Sequence, residues 1–150
     1  MIRKYELLST AVASMYHDIQ KIERVEMAKF GLKGPHAQCL LAMARNPQGV
    51  TAAHLCRICE KDKAAISRTV TEMEQQGLLT RSQEGGRYRA LLMLTEKGQT
   101  AARSVDARAR QAVEQAGEGL EDGQREIFYR VLGQIAENLH GICRTGIQDG

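Results

Sequence analysis

The stretch HLCRICEKDKAAISRTV, residues 54–70, contains a C-x-x-C pattern formed by Cys56 and Cys59. Such a pair can hold zinc or exchange electrons as a dithiol. A structural zinc site needs four ligands, and Cys39 and Cys143 stand isolated in the sequence. A redox dithiol stands at a helix N-terminus, whereas this pair lies near a predicted helix end, where the dipole disfavours a thiolate. We interpret the pair as core thiols. The alternative is a thiol-based redox-responsive regulator or metal-binding protein that uses Cys56/Cys59 or Cys39/Cys143.

The residues after the cysteines predict a helix over residues 63–76 that has two different faces. Ile66, Val70 and Met73 recur at helical spacing on the face that would turn inward. The remaining surface carries small and polar side chains, namely Ala64, Ala65, Ser67, Arg68, Thr71 and Gln75. In the major groove of B-DNA, arginine pairs with guanine, hydroxyl groups meet bases or phosphates, and methyl groups meet thymine. The composition of this face therefore favours base contacts by a recognition helix, with Lys63 on a phosphate.

The elements on either side of this helix complete a winged helix-turn-helix pattern. Thr51 is the predicted cap of a helix over residues 52–60, and Asp62 that of the helix over residues 63–76. Ala52, Leu55, Cys56 and Cys59 share the face of the first helix that would pack on Ile66 and Val70. Two short helices joined by a brief turn form a helix-turn-helix.

A predicted hairpin follows the two short helices. The runs 78–83 and 89–95 are compatible with strands, and Gly85-Gly86 is a strong turn signal between them. Arg81 is expected on a phosphate, and Arg87 and Arg89 at the wing, where arginine can enter a narrow minor groove. Thr95 is the predicted cap of the next helix, which runs to about residue 116.

Long helices with apolar stripes are predicted at both ends of the chain. Over residues 2–30, apolar side chains recur three and four positions apart, and residues 122–143 carry a similar stripe. Such a narrow seam needs a partner, either another helix of the same chain or a second subunit.

Composition places the chain among ordinary globular proteins. Apolar residues make up 43% and charged residues 26% of the 150 residues, and the net charge of +3 permits nucleic-acid binding without arguing for it. The N-terminal stretch has no apolar core of a signal peptide, and no window predicts a membrane span. We expect a cytoplasmic protein with reduced thiols. The residues offer no nucleophile–base pair or phosphate loop, so no enzymatic activity and no cofactor is predicted.

In this order, the motifs resemble the MarR family of bacterial winged helix-turn-helix regulators. The segments that carry the resemblance are GLKGPHAQCLLAMARNPQGVTAAHLCRIC, DKAAISRTVTEMEQQGLLTR and LMLTEKG. The resemblance implies a mainly α fold with a small β-hairpin wing. It places a DNA-binding domain at residues 35–94, dimerisation helices at residues 1–34 and 117–150, and a connecting helix at residues 95–116. It also implies a homodimeric repressor on a pseudo-palindromic operator, released by a small molecule or a redox signal.

The chain departs from the family pattern at two places. Gly86 and Tyr88 stand where the wing usually has Asp and Arg, and Glu60-Lys61 stands where the turn usually has Gly and an apolar residue. If residue 60 needs a positive φ, its backbone would be strained.

The resemblance also implies a cleft for an effector beside the dimerisation helices. It would place Tyr16, His17 and His36 near this cleft. The alternative is that Tyr16 and His36 are partly exposed and that His17 is a solvated surface residue.

Overall fold

The computed structural model describes residues 2–82 and 89–148. Within these ranges the helices and strands are α1 (Ile2–Ala28), α2 (Gly34–Ala44), α3 (Ala52–Cys59), α4 (Lys63–Gln75), β1 (Leu79–Arg81), β2 (Leu92–Leu94), α5 (Glu96–Ala116) and α6 (Asp122–Thr145). The mainly α fold with a small hairpin is therefore confirmed. The chain divides into two units, Met1–Ala109 and Arg110–Gly150, and the boundary falls within α5. None of the described helices has the length and apolar character needed to span a membrane.

The core of the first unit consists of apolar side chains, most of them from α2, α3, α4 and the two strands, with Met27 of α1 and Val105 of α5. Its most deeply buried members include Leu40, Leu55, Ile66, Met73, Leu79 and Leu92. Ile66, Val70 and Met73 occupy the inward face of α4, as their spacing predicts. Leu55 and Cys59 of α3 are buried, and Ala52 and Cys56 pack beside them. The face that sequence spacing assigned to helix packing is thus confirmed.

Side-chain caps begin the helices at the predicted residues. Thr51 Oγ1 accepts a hydrogen bond from His54 N at 3.2 Å, and Asp62 Oδ1 accepts one from Ala65 N at 2.7 Å. Thr95 Oγ1 accepts from Gly98 N at 3.1 Å and donates to Gly77 O at 2.6 Å. Each cap satisfies an N–H group that has no partner within its own helix.

The two strands form an antiparallel hairpin in which Leu79 pairs with Leu94 and Arg81 with Leu92. Val50 adds an antiparallel bridge, because Val50 N donates to Leu92 O at 3.1 Å and Leu92 N donates to Val50 O at 2.8 Å. Sequence reasoning treated residues 46–50 only as a turn and missed this pairing. The predicted Gly85-Gly86 turn, together with Arg87 and Tyr88, lies outside the described residues.

Each of the two end helices keeps its apolar stripe uncovered by its own unit. In α1, Met27 is the buried residue, whereas Tyr5, Val12 and Ile19 are 73%, 43% and 51% exposed. In α6, none of the 24 residues is buried, and Ile127 and Val131 are 54% and 45% exposed. Each helix therefore has an apolar face that the described part of its own unit leaves in contact with solvent.

Candidate nucleic-acid interface

The outward face of α4 presents the small and polar residues that the sequence places there. Ala64, Ser67, Arg68 and Gln75 are exposed, and Ala65 and Thr71 are half-buried. Lys63 is exposed at the first position of the helix. The N-terminus of α4 carries the partial positive charge of the helix dipole, beside the Asp62 carboxylate that caps it. Thr69, to which sequence reasoning gave no role, is buried beside the core.

The turn that orients α4 adopts a left-handed backbone at Glu60, with φ 51° and ψ 44°. Among the described residues, Glu60 is the one non-glycine residue with a positive φ. Glu60 N and Lys61 N both donate to Cys56 O, which closes the end of α3. The strain expected of Glu60 is thus present, because this conformation favours glycine. The chain forms its helix-turn-helix bend without the usual glycine.

A network around the buried His36 ring anchors α4 to the start of α2. Glu72 of α4 accepts hydrogen bonds from Lys33 Nζ at 2.7 Å and from His36 Nε2 at 3.1 Å. His36 Nδ1 accepts a hydrogen bond from Lys33 N at 3.1 Å, so the ring proton lies on Nε2. These hydrogen bonds, first that of Lys33 and then that of His36, lower the pKa of Glu72 below its ordinary value. Glu72 is thereby held ionised on the flank of α4.

The three residues assigned to an effector cleft occupy different surroundings. His36 is 0% exposed and both of its ring nitrogens have protein partners, so it is not the partly exposed residue that the alternative interpretation expected. Tyr16 and His17 are exposed on α1, and Tyr16 OH accepts a hydrogen bond from Gln20 Nε2 at 3.1 Å. His36 has no surface to offer a ligand, because its ring links α2 to α4. A ligand site at Tyr16 and His17 stays a prediction.

The arginines assigned to phosphates and to the wing have different surroundings. Arg81 Nε donates to Glu74 Oε2 at 3.0 Å, and its side chain is only 20% exposed. This ion pair fixes β1 against α4, so a phosphate would have to share Arg81 with a carboxylate. Arg89 is exposed just before β2, and Arg87 lies outside the described residues. The ladder continues beyond β1, because Ser82 N donates to Leu91 O at 2.8 Å.

The cysteines form a pair that the sequence pattern does not predict. Cys39 Sγ of α2 lies 4.0 Å from Cys59 Sγ of α3, so the interpretation of Cys39 as isolated is wrong. Cys56 is half-buried and Cys143 is exposed. In the ranges 2–82 and 89–148, no group of three His, Cys, Asp or Glu side chains is placed to hold a metal ion. The C-x-x-C spacing draws attention to Cys56, whereas the fold pairs Cys59 with a residue 20 positions earlier.

Comparisons with known proteins identify the fold and the sequence family of its central region. Residues 30–87 match the model of the MarR family. A MarR regulator from Methanosarcina mazei superimposes with a TM-score of 0.82 at 21% identity, covering 91% of this chain and 92% of that one. A MarR protein from Peptoclostridium difficile gives 0.82 at 15% identity, with coverages of 90% and 88%. No curated protein sequence matches the chain.

A solved structure with DNA is also similar to the chain. It is a MarR family regulator from Listeria monocytogenes in complex with a 26mer DNA, and it superimposes with a TM-score of 0.81 at 20% identity. The match covers 94% of this chain and 96% of that one. Residues 30–87 are therefore similar to the MarR family, and the chain has the winged helix-turn-helix fold of these solved regulators.

Proposed function

We propose that this protein is a sequence-specific DNA-binding transcriptional repressor that binds a pseudo-palindromic operator as a homodimer. The observation that carries the proposal is the exposed outward face of α4. Asp62 caps this helix, and a hairpin follows it. A helix of this kind enters the major groove with its first turns at the base edges. The similar Listeria regulator was solved with DNA, which supports the same class of ligand for this chain.

The contacts divide by chemistry into those that read bases and those that hold the backbone. Arg68 would pair with guanine through its two parallel N–H donors, and Ser67 and Thr71 would donate or accept at neighbouring bases. Ala64 and Ala65 leave room for a close approach of the helix and can meet thymine methyl groups. Lys63 would contact a phosphate at the N-terminus of α4. Arg89 of the hairpin would extend the contact toward the minor groove.

The proposed dimer follows from the exposed apolar stripes of α1 and α6. A monomer in water would leave these side chains hydrated, whereas their burial stabilises by about 25 cal/mol for each Å² of apolar surface. We therefore assign dimerisation to residues 1–34 and 117–150, DNA binding to residues 35–94 and the connection to residues 95–116. A two-fold symmetric dimer carries two copies of α4, and this symmetry is why the operator would be pseudo-palindromic.

Binding to DNA from the region upstream of the protein's own gene tests the proposal. Fluorescence anisotropy would compare this duplex with a random duplex of equal length, each at 50 and at 200 mM salt. We expect at least tenfold tighter binding to the upstream duplex. Affinity for both should fall by roughly 10³-fold or more over this salt range if about six or more phosphates are contacted. Weak, salt-insensitive binding to both duplexes would instead indicate a module that recognises protein.

A further inference from the structure

Two thiols of the winged domain lie against each other beneath the turn that orients α4. Cys39 Sγ and Cys59 Sγ are 4.0 Å apart, and the two residues are 2% and 8% exposed. Cys39 belongs to α2, whereas Cys59 is the last residue of α3 and directly precedes the left-handed Glu60. A single covalent bond between the two sulfurs would therefore join separate helices at the bend of the helix-turn-helix.

We propose that Cys59 is a site of oxidation by hydroperoxides, and that Cys39 resolves the oxidised Cys59 to an intramolecular Cys39–Cys59 disulfide. The pair differs from the C-x-x-C of the sequence, since Cys56 takes no part in it. The proposal rests on the approach of the two sulfurs, on an open path to them and on a cation beside them.

The surroundings distinguish the attacking thiol from the resolving thiol. The hydrogen bond from Cys39 and the positive charge of Lys61 lower the pKa of Cys59, against the opposing effects of burial and of the negative end of the α3 dipole. The same contact and burial raise the pKa of Cys39. Cys59 is thus the better thiolate, and the thiolate is the form that attacks a peroxide. Cys39 keeps its proton until an oxidised sulfur stands next to it.

A pocket gives small molecules access to the pair. Its volume is about 230 Å³, and both cysteines line it together with Lys61, Arg68 and Thr69. A water molecule occupies about 30 Å³ of liquid, so the pocket has room for a peroxide of a few heavy atoms. The lining also includes Lys33 and Glu72, which form an ion pair with each other, so Lys61 and Arg68 give the pocket a net positive charge. This charge suits the negative charge that develops on the leaving oxygen of the peroxide.

The chemistry balances with a hydroperoxide as the oxidant. The Cys59 thiolate attacks the outer oxygen of the hydroperoxide, an S–O bond forms, and the O–O bond breaks to release an alcohol once the leaving oxygen is protonated. Cys39 sulfur then attacks Cys59 sulfur, the S–O bond breaks, and hydroxide leaves with the Cys39 proton as water. In sum, two thiols lose two electrons to one hydroperoxide, which yields one disulfide, one alcohol and one water.

The disulfide would change the helix-turn-helix geometry. A disulfide has an S–S distance of about 2.05 Å, so the sulfurs must approach by roughly 2 Å from their present separation. Because Cys59 is followed at once by the turn Glu60–Lys61 and by the Asp62 cap, this shift would be transmitted to the start of α4. We therefore expect oxidation to weaken DNA binding. This last step rests on the proposed function, whereas the disulfide itself does not.

Peptide mapping of the full-length protein tests the disulfide. The protein is treated with one equivalent of tert-butyl hydroperoxide, its remaining thiols are alkylated under denaturing conditions, and it is digested with trypsin. Arg57 separates Cys56 from Cys59, so each cysteine of the pair falls in its own peptide, residues 34–45 and residues 58–61. We expect these two peptides to be joined, with Cys56 and the exposed Cys143 alkylated. Oxidised Cys143 together with alkylated Cys39 and Cys59 would overturn the proposal.

Three variants assign the two roles. In Cys39→Ser, Cys59 should accumulate as a sulfenic acid that a 1,3-dicarbonyl reagent traps, because the resolving thiol is missing. In Cys59→Ser, no adduct should form at Cys39. Cys56→Ser is the matched control from the same helix and should form the disulfide as the wild type does. Trapping at Cys39 in the Cys59→Ser variant would overturn the assignment of the attacking thiol.

Binding to the upstream duplex tests the link to α4. Wild-type protein carrying the mapped disulfide should bind at least tenfold more weakly than the same sample after reduction with dithiothreitol, and Cys39→Ser should lose this response. Equal affinity of the oxidised and reduced forms would overturn the link between the disulfide and α4. A reduced protein that does not bind the duplex, yet forms the mapped disulfide, would contradict the proposed function and leave the oxidation site established.

Discussion

The backbone of Glu60 has a left-handed conformation that is rare for residues other than glycine. Glu60 lies at the bend between α3 and α4. A left-handed φ brings Cβ toward the backbone carbonyl and costs an L-residue roughly 1–2 kcal/mol. The sequence shows only that a glycine is missing at this position. The structure shows that Glu60 has the positive φ that glycine would adopt. The strain is stored next to the cysteine pair and the start of α4.

Replacing Glu60 with glycine should stabilise the protein, because glycine adopts this φ without a steric penalty. The matched control is Glu60→Ala, which removes the same carboxylate and its contacts but keeps the Cβ. We expect the glycine variant to exceed the alanine variant by about 1 kcal/mol in the free energy of unfolding, measured by urea denaturation. Equal stability of the two variants would mean that Glu60 is not strained in solution.

Glu72 should make stability depend on pH in the acid range. Its pKa in the folded state is lowered, first by the hydrogen bond of Lys33, so its contribution is complete above the ordinary value of 4.5 and is lost as pH falls through the lower folded value. We therefore expect the stability difference between wild type and Glu72→Gln to shrink below about pH 4.5 in thermal melts. Glu126→Gln, on the exposed surface of α6, serves as the control. A difference that stays constant down to pH 3 would contradict the ionised network.

At the scale of elements, the sequence predicts the features that depend on residues close in the chain and misses those that depend on residues far apart. Helix periodicity, the caps at Thr51, Asp62 and Thr95, and the buried face of α4 depend on residues close in the chain. The Val50–Leu92 bridge and the contact of His36 with Glu72 join residues far apart in sequence, and no local pattern encodes them. The Cys39–Cys59 pair was missed for the same reason, since it depends on how α2 and α3 pack.

Gly98 joins two elements through a close approach that only glycine permits. A Cβ built at Gly98 would lie 1.9 Å from Leu78 O, in the chain segment that leads into β1. Gly98→Ala should therefore destabilise the first unit by at least about 1–3 kcal/mol, the usual cost of overpacking. Gly133→Ala in α6 is the matched control, because nothing lies within 4 Å of its Cβ and alanine favours a helix. A Gly98→Ala variant as stable as the control would show that this contact is absent.

At the scale of the whole molecule, we propose that the end helices pair two copies of the chain. Charge offers little guidance, because a net charge of +3 is modest for a DNA-binding protein. The apolar stripe of α6 is more informative, since a 24-residue helix without a buried residue would be poorly stabilised in water. A second copy that covers this stripe would also supply the second recognition helix.

A charge placed within the α6 stripe should disrupt the dimer. Val131→Glu would bury a carboxylate in an apolar interface, so sedimentation should change from twice the mass of the chain to one chain mass at low micromolar concentration. The matched control is Ala136→Glu, about 140° around the helix from Val131. Two variants that sediment alike as dimers would place the interface elsewhere.

Base reading by α4 is the central claim, and one comparison of affinities tests it most directly. Wild type, Arg68→Ala and Arg103→Ala, an exposed arginine of α5, would be titrated against the upstream duplex and a random duplex at one salt concentration. Removing Arg68 should weaken the binding free energy for the upstream duplex by about 1–3 kcal/mol, and that for the random duplex by much less. The reason is that the base contacted by Arg68 is present only in the upstream duplex. Removing Arg103 should leave this difference between the duplexes unchanged. An equal loss on both duplexes for Arg68→Ala would contradict sequence reading by α4.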